Sequence, residues 1–335
     1  MQLSRAWFAA LALALALCAP VIVAHSEPVD WMSEPEWLGK KHLGAREWPE
    51  LDALVEKLAA SGERADDGCF HFYLLTTGIA DRLETLERGE QDLARKLEEY
   101  RQQVPNSAFE PLLEAMVLHA SAWQARGRGL ASTVTEEGWA LYRERNAAAW
   151  ELILLAKQRS AKLPTWYELA INIGMDAGIA DNVLTAIFNE GIKRFPGYHA
   201  IYFNYARQFA PRWGGDYETA DAFITAQVAA KSNGEGEVLY TRLYWLIDQY
   251  AGSDPDFFEA SRVSWQRMRT GFELLMEEFP NSQRNKASFV AYACRARDAA
   301  TYIKWRQTVH PGFFQQVAPY GISLDGCDRR FMKKV

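Results

Sequence analysis

The stretch whose reading decides the fold is PGYHAIYFNYARQFAPRWGGD, from Pro196 to Asp216. Pro196 stops one helix, because its ring fixes φ and removes the N–H that a further turn would need. Residues 200–209 then read as a short aromatic helix. The run Pro211, Arg212, Trp213, Gly214, Gly215 is a tight turn, and Asp216 is a good N-cap for the helix after it. The two glycines supply backbone angles that other residues avoid.

Working outward, the same helix–break–helix unit recurs. Val104-Pro105, Phe195-Pro196 and Phe279-Pro280 each place a hydrophobe before a proline, which pushes that residue toward extended geometry and turns the chain back. The clearest pair lies between Pro164 and Pro196: a helix over 165–176, a turn around Gly178 and a second helix over 181–194. Ile171, Leu184, Phe188 and Gly191 then fall at tetratricopeptide-like positions. Further helices are expected over 217–230, 237–250 and 256–279, the last after the start signal Ser253-Asp254-Pro255, and a final pair runs to Val309. Trp265, Met268, Phe272, Leu275 and Phe279 step at three- and four-residue spacing.

Toward the N-terminus, Leu51, Leu54, Val55 and Leu58 mark one helix face after Pro49. Leu83, Leu86, Leu93, Leu97, Tyr100 and Val104 make a narrow apolar stripe with a solvated charged face. Leu112, Met116, His119, Trp123 and Arg126 share a face of the next helix, which Gly127 and Gly129 end. Units of roughly 30–45 residues without strand signal predict an all-α fold. The expected architecture is a tetratricopeptide-like α-solenoid, or stack of antiparallel helical hairpins, over 48–309.

Outside that domain, Arg5 and the apolar run 6–17 read as a signal peptide over 1–24, ending at Ile22-Val23-Ala24. A second reading anchors the chain through a lipid on Cys18. Export to the periplasm or medium follows from either. The segment 25–47, with Pro28, Pro35, Trp31 and Trp37, reads as an extended strap, and 310–335 as a tail. An exported chain can form disulfides. Either Cys294 and Cys327 bridge, pinning the tail to the last hairpin, or Cys69, Cys294 and Cys327 stay reduced and buried.

Composition narrows the function classes. With 43 acidic against 37 basic residues, a net charge of −6 and no basic block, the chain is a poor nucleic-acid binder. No stretch beyond the leader is long and apolar enough to span a membrane. The sequence lacks a phosphate-binding Gly-Lys-Ser/Thr loop, a Gly-x-Ser-x-Gly elbow and a His-Glu-x-x-His pair. His71 stands two residues after Cys69 with no second Cys/His pair at a metal-binding spacing, so no metal or cofactor is expected. His119, on an apolar stripe, reads as a satisfied core histidine.

Two constellations are candidate sites. Trp123, Arg126 and Arg128 are either a clamp beside exposed glycine backbone or a helix end in which Arg126 stacks on an aromatic ring. Arg212 and Trp213 either plug the hairpin or line a groove with Tyr198, Tyr202 and Tyr205, which are spaced for one helical face. These residues suit a non-enzymatic binder that takes a protein segment or envelope component in a concave groove. The alternative is an envelope enzyme, hydrolase-like and acting on cell-wall material, with a buried acid such as Asp216 or Glu218 near the aromatics.

Trp123, Arg126, Gly127 and Gly129, followed by Pro211, Arg212, Trp213, Gly214, Gly215 and Asp216, resemble a bacterial family of unknown function built of tetratricopeptide-like hairpins. Asn285, Cys294 and Asp298 are similar in placement, and the resemblance spans about Phe109 to Trp305. It implies the repeat fold and no particular chemistry.

Overall fold

Proline punctuates the chain, and its three X–Pro breaks are built alike. The computed structural model describes residues 32–85, 91–127, 129–232, 234–251, 257–319 and 321–332, with backbone alone at 84–85 and 91–95. The N–H groups of Val104, Phe195 and Phe279 close the preceding turn onto Tyr100, Gly191 and Leu275 at 2.8, 2.8 and 2.9 Å. Their carbonyls then accept from Ser107, Tyr198 and Ser282 at 3.3, 3.0 and 3.2 Å. Phe195 and Phe279 share one conformation, φ/ψ −130/65° and −126/65°. Each break satisfies its own backbone while reversing the chain.

Seventeen α-helices and no strand arise between such breaks among the described residues. The first four are α1 (Glu34–Ala45), α2 (Trp48–Ser61), α3 (His71–Thr85) and α4 (Gln91–Gln103). Next come α5 (Glu110–Arg126), α6 (Glu136–Ser160), α7 (Pro164–Asp176), α8 (Asp181–Arg194) and α9 (His199–Ala206). Then follow α10 (Tyr217–Ala229), α11 (Glu235–Ala251), α12 (Phe257–Ala260), α13 (Trp265–Glu278) and α14 (Gln283–Arg295). The chain closes with α15 (Ala299–Arg306), α16 (Pro311–Val317) and α17 (Leu324–Phe331). The fold is all-α, as the periodicity predicts.

Neighbours in sequence pack as pairs, α5 on α6, α7 on α8, α10 on α11 and α14 on α15, and α11 packs on α13 across the short α12. Helices α5, α7, α9 and α11 also touch in series, making a continuous row. The aromatic residues fill the seams. Phe188 of α8 stacks on Tyr205 of α9 (centroids 4.2 Å apart), Phe209 stacks on Phe223 of α10 (4.8 Å), and Phe272 of α13 stacks on Phe289 of α14 (5.0 Å). Each pair buries large apolar area and adds about 1 kcal/mol through ring geometry.

Both ends differ from the sequence reading. The described part of the strap is α1, not an extended arm. Pro35 sits in the first turn, where no N–H is needed, and Ser33 caps the end by accepting from Glu36 N–H. Helix α1 lies on α3 with backbones nearly touching: a Cβ on Gly39 would stand 2.4 Å from the Leu75 carbonyl oxygen, and one on Gly78 2.1 Å from that of Glu36. The tail is also helical. His310 and Ser323 cap α16 and α17, and Asp328 of α17 accepts from Arg306 of α15 at 2.8 Å. Cys294 and Cys327 form a disulfide that closes a 33-residue separation, worth about 3–4 kcal/mol in loop entropy. The leader, Cys18, residues 86–90 and the Ser253-Asp254-Pro255 signal lie outside the described residues.

Two glycines of α1 separate packing from propensity. Gly39→Ala is expected to lower unfolding free energy by about 1–3 kcal/mol through overpacking. Gly44→Ala, whose Cβ would meet only Arg82 Nε at 3.9 Å, should be neutral or raise it by about 0.5–1 kcal/mol. Denaturant unfolding of the two variants checks this, and equal effects would contradict the close α1–α3 approach.

Candidate functional site

The row of α5, α7 and α9 converges on one carboxylate. Asp176 is the last residue of α7. His119 and Trp123, one turn apart on α5, both reach its Oδ2: His119 Nε2 lies 2.8 Å away and Trp123 Nε1 donates at 2.9 Å. Arg207, just after α9, donates from Nη2 to Oδ1 at 2.8 Å. The side chains of His119, Asp176 and Arg207 are 15, 8 and 11% exposed. Burial opposes ionisation of Asp176, but the His119 hydrogen bond and the Arg207 charge outweigh it and hold the carboxyl below its ordinary range. A carboxylate so engaged is an anchor rather than a base.

Rings and guanidinium groups stack outward from this anchor. Trp213 stands edge-on to Trp123 at 6.1 Å, with the Arg207 guanidinium 5.0 Å from its centroid. Trp123 meets Tyr142 at 5.3 Å. Arg126 lies 5.2 Å from the Trp123 ring and 5.3 Å from the Trp139 ring, and donates to the carbonyls of Gly127 and Gly129, each at 3.0 Å. Each such contact contributes about 0.5–1 kcal/mol. The assembly ends at the surface: Trp213 is 41% exposed, and Arg212 beside it is exposed. Gly214, at φ 95°, and Gly215, whose Cβ would fall 2.3 Å from Phe209 backbone, make the turn that presents them.

Trp213, ninety residues from Trp123 in sequence, is therefore brought against Trp123 and its helix neighbour Arg126, and Arg126 both stacks and closes its helix end. Arg128 lies outside the described residues. The tyrosine groove is corrected. Tyr202 is 2% exposed, edge-on to Phe188 at 5.6 Å, and Tyr205 stacks on the same ring. Tyr198 is buried against Phe70, Phe72 and Tyr73. Helix α9 is enclosed by α7, α8 and α11, so its aromatic side faces the core. The acidic site built on Asp216 or Glu218 is also corrected, since both are exposed. Asp216 caps α10 in a reciprocal box with Thr219, and Glu218 reaches Arg262 at 3.7 Å.

Sequence reasoning missed Asp176 and Arg207. Both stand at helix ends, where charged residues are routine, and only the packing of α7 on α9 joins them. It also missed Glu168 of α7, whose carboxyl burial pushes up to about 7. Its neighbours are Thr165 and Asn204, at 3.5 and 3.4 Å. Among the described residues no three His, Cys, Asp or Glu side chains gather as a metal site, and no helix is long and apolar enough to cross a membrane. Comparison with protein-family models, curated proteins and solved structures finds no match to this chain.

The two buried acids predict opposite responses. Asp176→Asn should destabilise by about 3 kcal/mol, because Arg207 loses its counter-charge. That contribution is complete above the ordinary carboxyl value of 3.8 and is lost as pH falls below it. Glu168 binds its proton more tightly when folded, so stability falls as pH rises from 4.5 through about 7. Glu168→Gln should therefore gain on the order of 3 kcal/mol over wild type at pH 8 and none below the ordinary value of 4.5. Denaturant unfolding across pH reads both, and a pH-independent Glu168→Gln difference would refute the second.

Proposed function

We propose that this chain is an exported, non-enzymatic helical-repeat protein that binds a protein segment through the Trp213 surface. The observation that carries the reading is a half-exposed tryptophan held rigid on a loop. Trp123 buttresses the Trp213 ring from one side and Arg207 covers it from another, with Arg207 itself fixed by Asp176. An aromatic ordered before binding loses little entropy on contact, which is the property of a binding hot spot. Exposed Arg212 stands next to it, so the segment it suits offers an apolar side chain to Trp213 and a carboxylate to Arg212. Export is supported by the leader pattern and by the compatibility of the Cys294–Cys327 bridge with an oxidising compartment.

Site-specific photocrosslinking tests the proposal. A photoreactive phenylalanine analogue at position 213 should give a discrete adduct in cells, weakened several-fold by Arg212→Ala. The same analogue at Leu155, which is 82% exposed and apolar, should not give that adduct. Identical adducts from both positions, or none from 213 in a folded protein, would overturn it.

A further inference from the structure

At the end of α6 away from Trp213, the outer face departs from the helix's own pattern. Tyr142, Asn146, Ala149, Ile153, Ala156 and Ser160 mark the buried side at three- and four-residue spacing. Leu154 and Leu155 lie off that side and are 48 and 82% exposed. The solvent face of such a helix is expected to be polar. Leu155 stands one turn before Arg159 and two before Lys162, so leucine and cations share one face. The nearest carboxylate along the helix, Glu151, is exposed one turn back.

Helix α7 packs on both α6 and α8, and between the C-terminal ends of those two an open trough of about 670 Å³ remains. Lys157, Arg159, Lys162 and Arg194 line it, against one carboxylate, Glu190. Glu190 accepts from Lys157 and Tyr167, each at 2.7 Å, and Lys162 reaches Glu56 at 3.4 Å. Arg159 donates to the Ser107 carbonyl at 3.4 Å, and Arg194 lies 5.7 Å from the Phe195 ring centroid. Glu110, which feels the Arg159 charge, is itself paired with Arg101 at 2.9 Å. Among the described residues no carboxylate stands within ion-pair distance of Arg159 or Arg194. Basic residues at helix C-terminal ends suit the helix dipole, which accounts for their sign and not for the leucines among them.

We propose that this face docks on an anionic phospholipid surface, with lipid phosphates in the trough at Arg159 and Arg194 and with Leu154 and Leu155 reaching the acyl layer. Charge complementarity carries the choice of partner: the chain has a net charge of −6, yet this face is basic. Each cation near an anionic leaflet strengthens binding by about fivefold. Long basic side chains keep their heads at the phosphates while their stems flank an inserted leucine. Lysine is scarce in protein–protein interfaces and leucine is scarce among their hot spots, so a protein partner fits this face less well. The site is independent of the Trp213 surface, because Trp139 and Leu155 lie roughly 24 Å apart along α6.

The exported chain, with a solvatochromic fluorescent amino acid in place of Leu155, tests this on vesicles of phosphatidylcholine and phosphatidylglycerol in equal parts. Emission should shift to the blue and saturate, and phosphatidylcholine alone should give no shift. A label in place of Ile303, which is 50% exposed but on α15, should not respond. Reading one position separates contact by this face from any attachment through the leader. Arg159→Gln combined with Arg194→Gln should weaken vesicle binding about ten- to thirtyfold. Because Arg159 also holds the Ser107 carbonyl, Arg194→Gln alone serves as a second variant and should weaken it about fivefold. Raised salt should weaken it too, since the attraction is between exposed charges. Equal shifts with and without phosphatidylglycerol, equal shifts at 155 and 303, or no shift in folded protein would each sink the assignment. So would arginine variants that bind as tightly as wild type, or the same shift with soluble glycerol phosphate.

Discussion

Aspartates that accept from tyrosine hydroxyls, buried at Asp52, Asp221 and Asp248 and half-buried at Asp328, tie the helices of this protein into one register. Tyr100 donates to Asp52 at 2.8 Å, Tyr244 to Asp221 at 2.5 Å, Tyr292 to Asp248 at 2.7 Å and Tyr302 to Asp328 at 2.5 Å. The partners lie 48, 23, 44 and 26 residues apart, so every pair joins separate segments. Burial first, and then the neighbouring carboxylate, pushes the Tyr292 phenol upward, which keeps it a donor. A buried carboxylate is costly unless its oxygens are occupied. Sliding a helix by one residue would strand it, so these pairs select one packing even where their net contribution to stability is small.

Asp176 follows the same rule with different donors. It takes an imidazole, an indole and a guanidinium in place of a phenol, and those groups in turn fix the rings around them. The order of Trp213 at the surface therefore derives from a charge buried on α7. A site resting on such an anchor keeps its shape without a ligand, unlike one carried by a free loop. The 62–70 loop is held separately. Its Asp67 carbonyl accepts from Arg242 of α11 and Asn285 of α14, so an N-terminal loop is tied to helices some two hundred residues later.

The sequence by itself determined where many of the helices begin and end, because proline, glycine and capping side chains act on their own few residues of backbone, although the single helix expected over 256–279 is divided into Phe257–Ala260 and Trp265–Glu278. The three X–Pro breaks, the Asp216 cap and the Gly214-Gly215 turn are all legible without a fold. So was the meeting of aromatic and arginine residues at Trp123 and Arg126, which share a helix face. Only the tertiary structure decided which faces are buried. Tyr198, Tyr202 and Tyr205 share a helical face in any sequence reading, but whether that face meets solvent depends on α7, α8, α11 and the 62–70 loop. Helix α1 was hidden because prolines mark both straps and first turns, and α16 and α17 because seven or eight residues hold too few turns to show a period. The Asp176 anchor was hidden for the deepest reason. Its donors come from 31, 53 and 57 residues away, and no local pattern encodes a contact whose free energy exists only after the helices have packed.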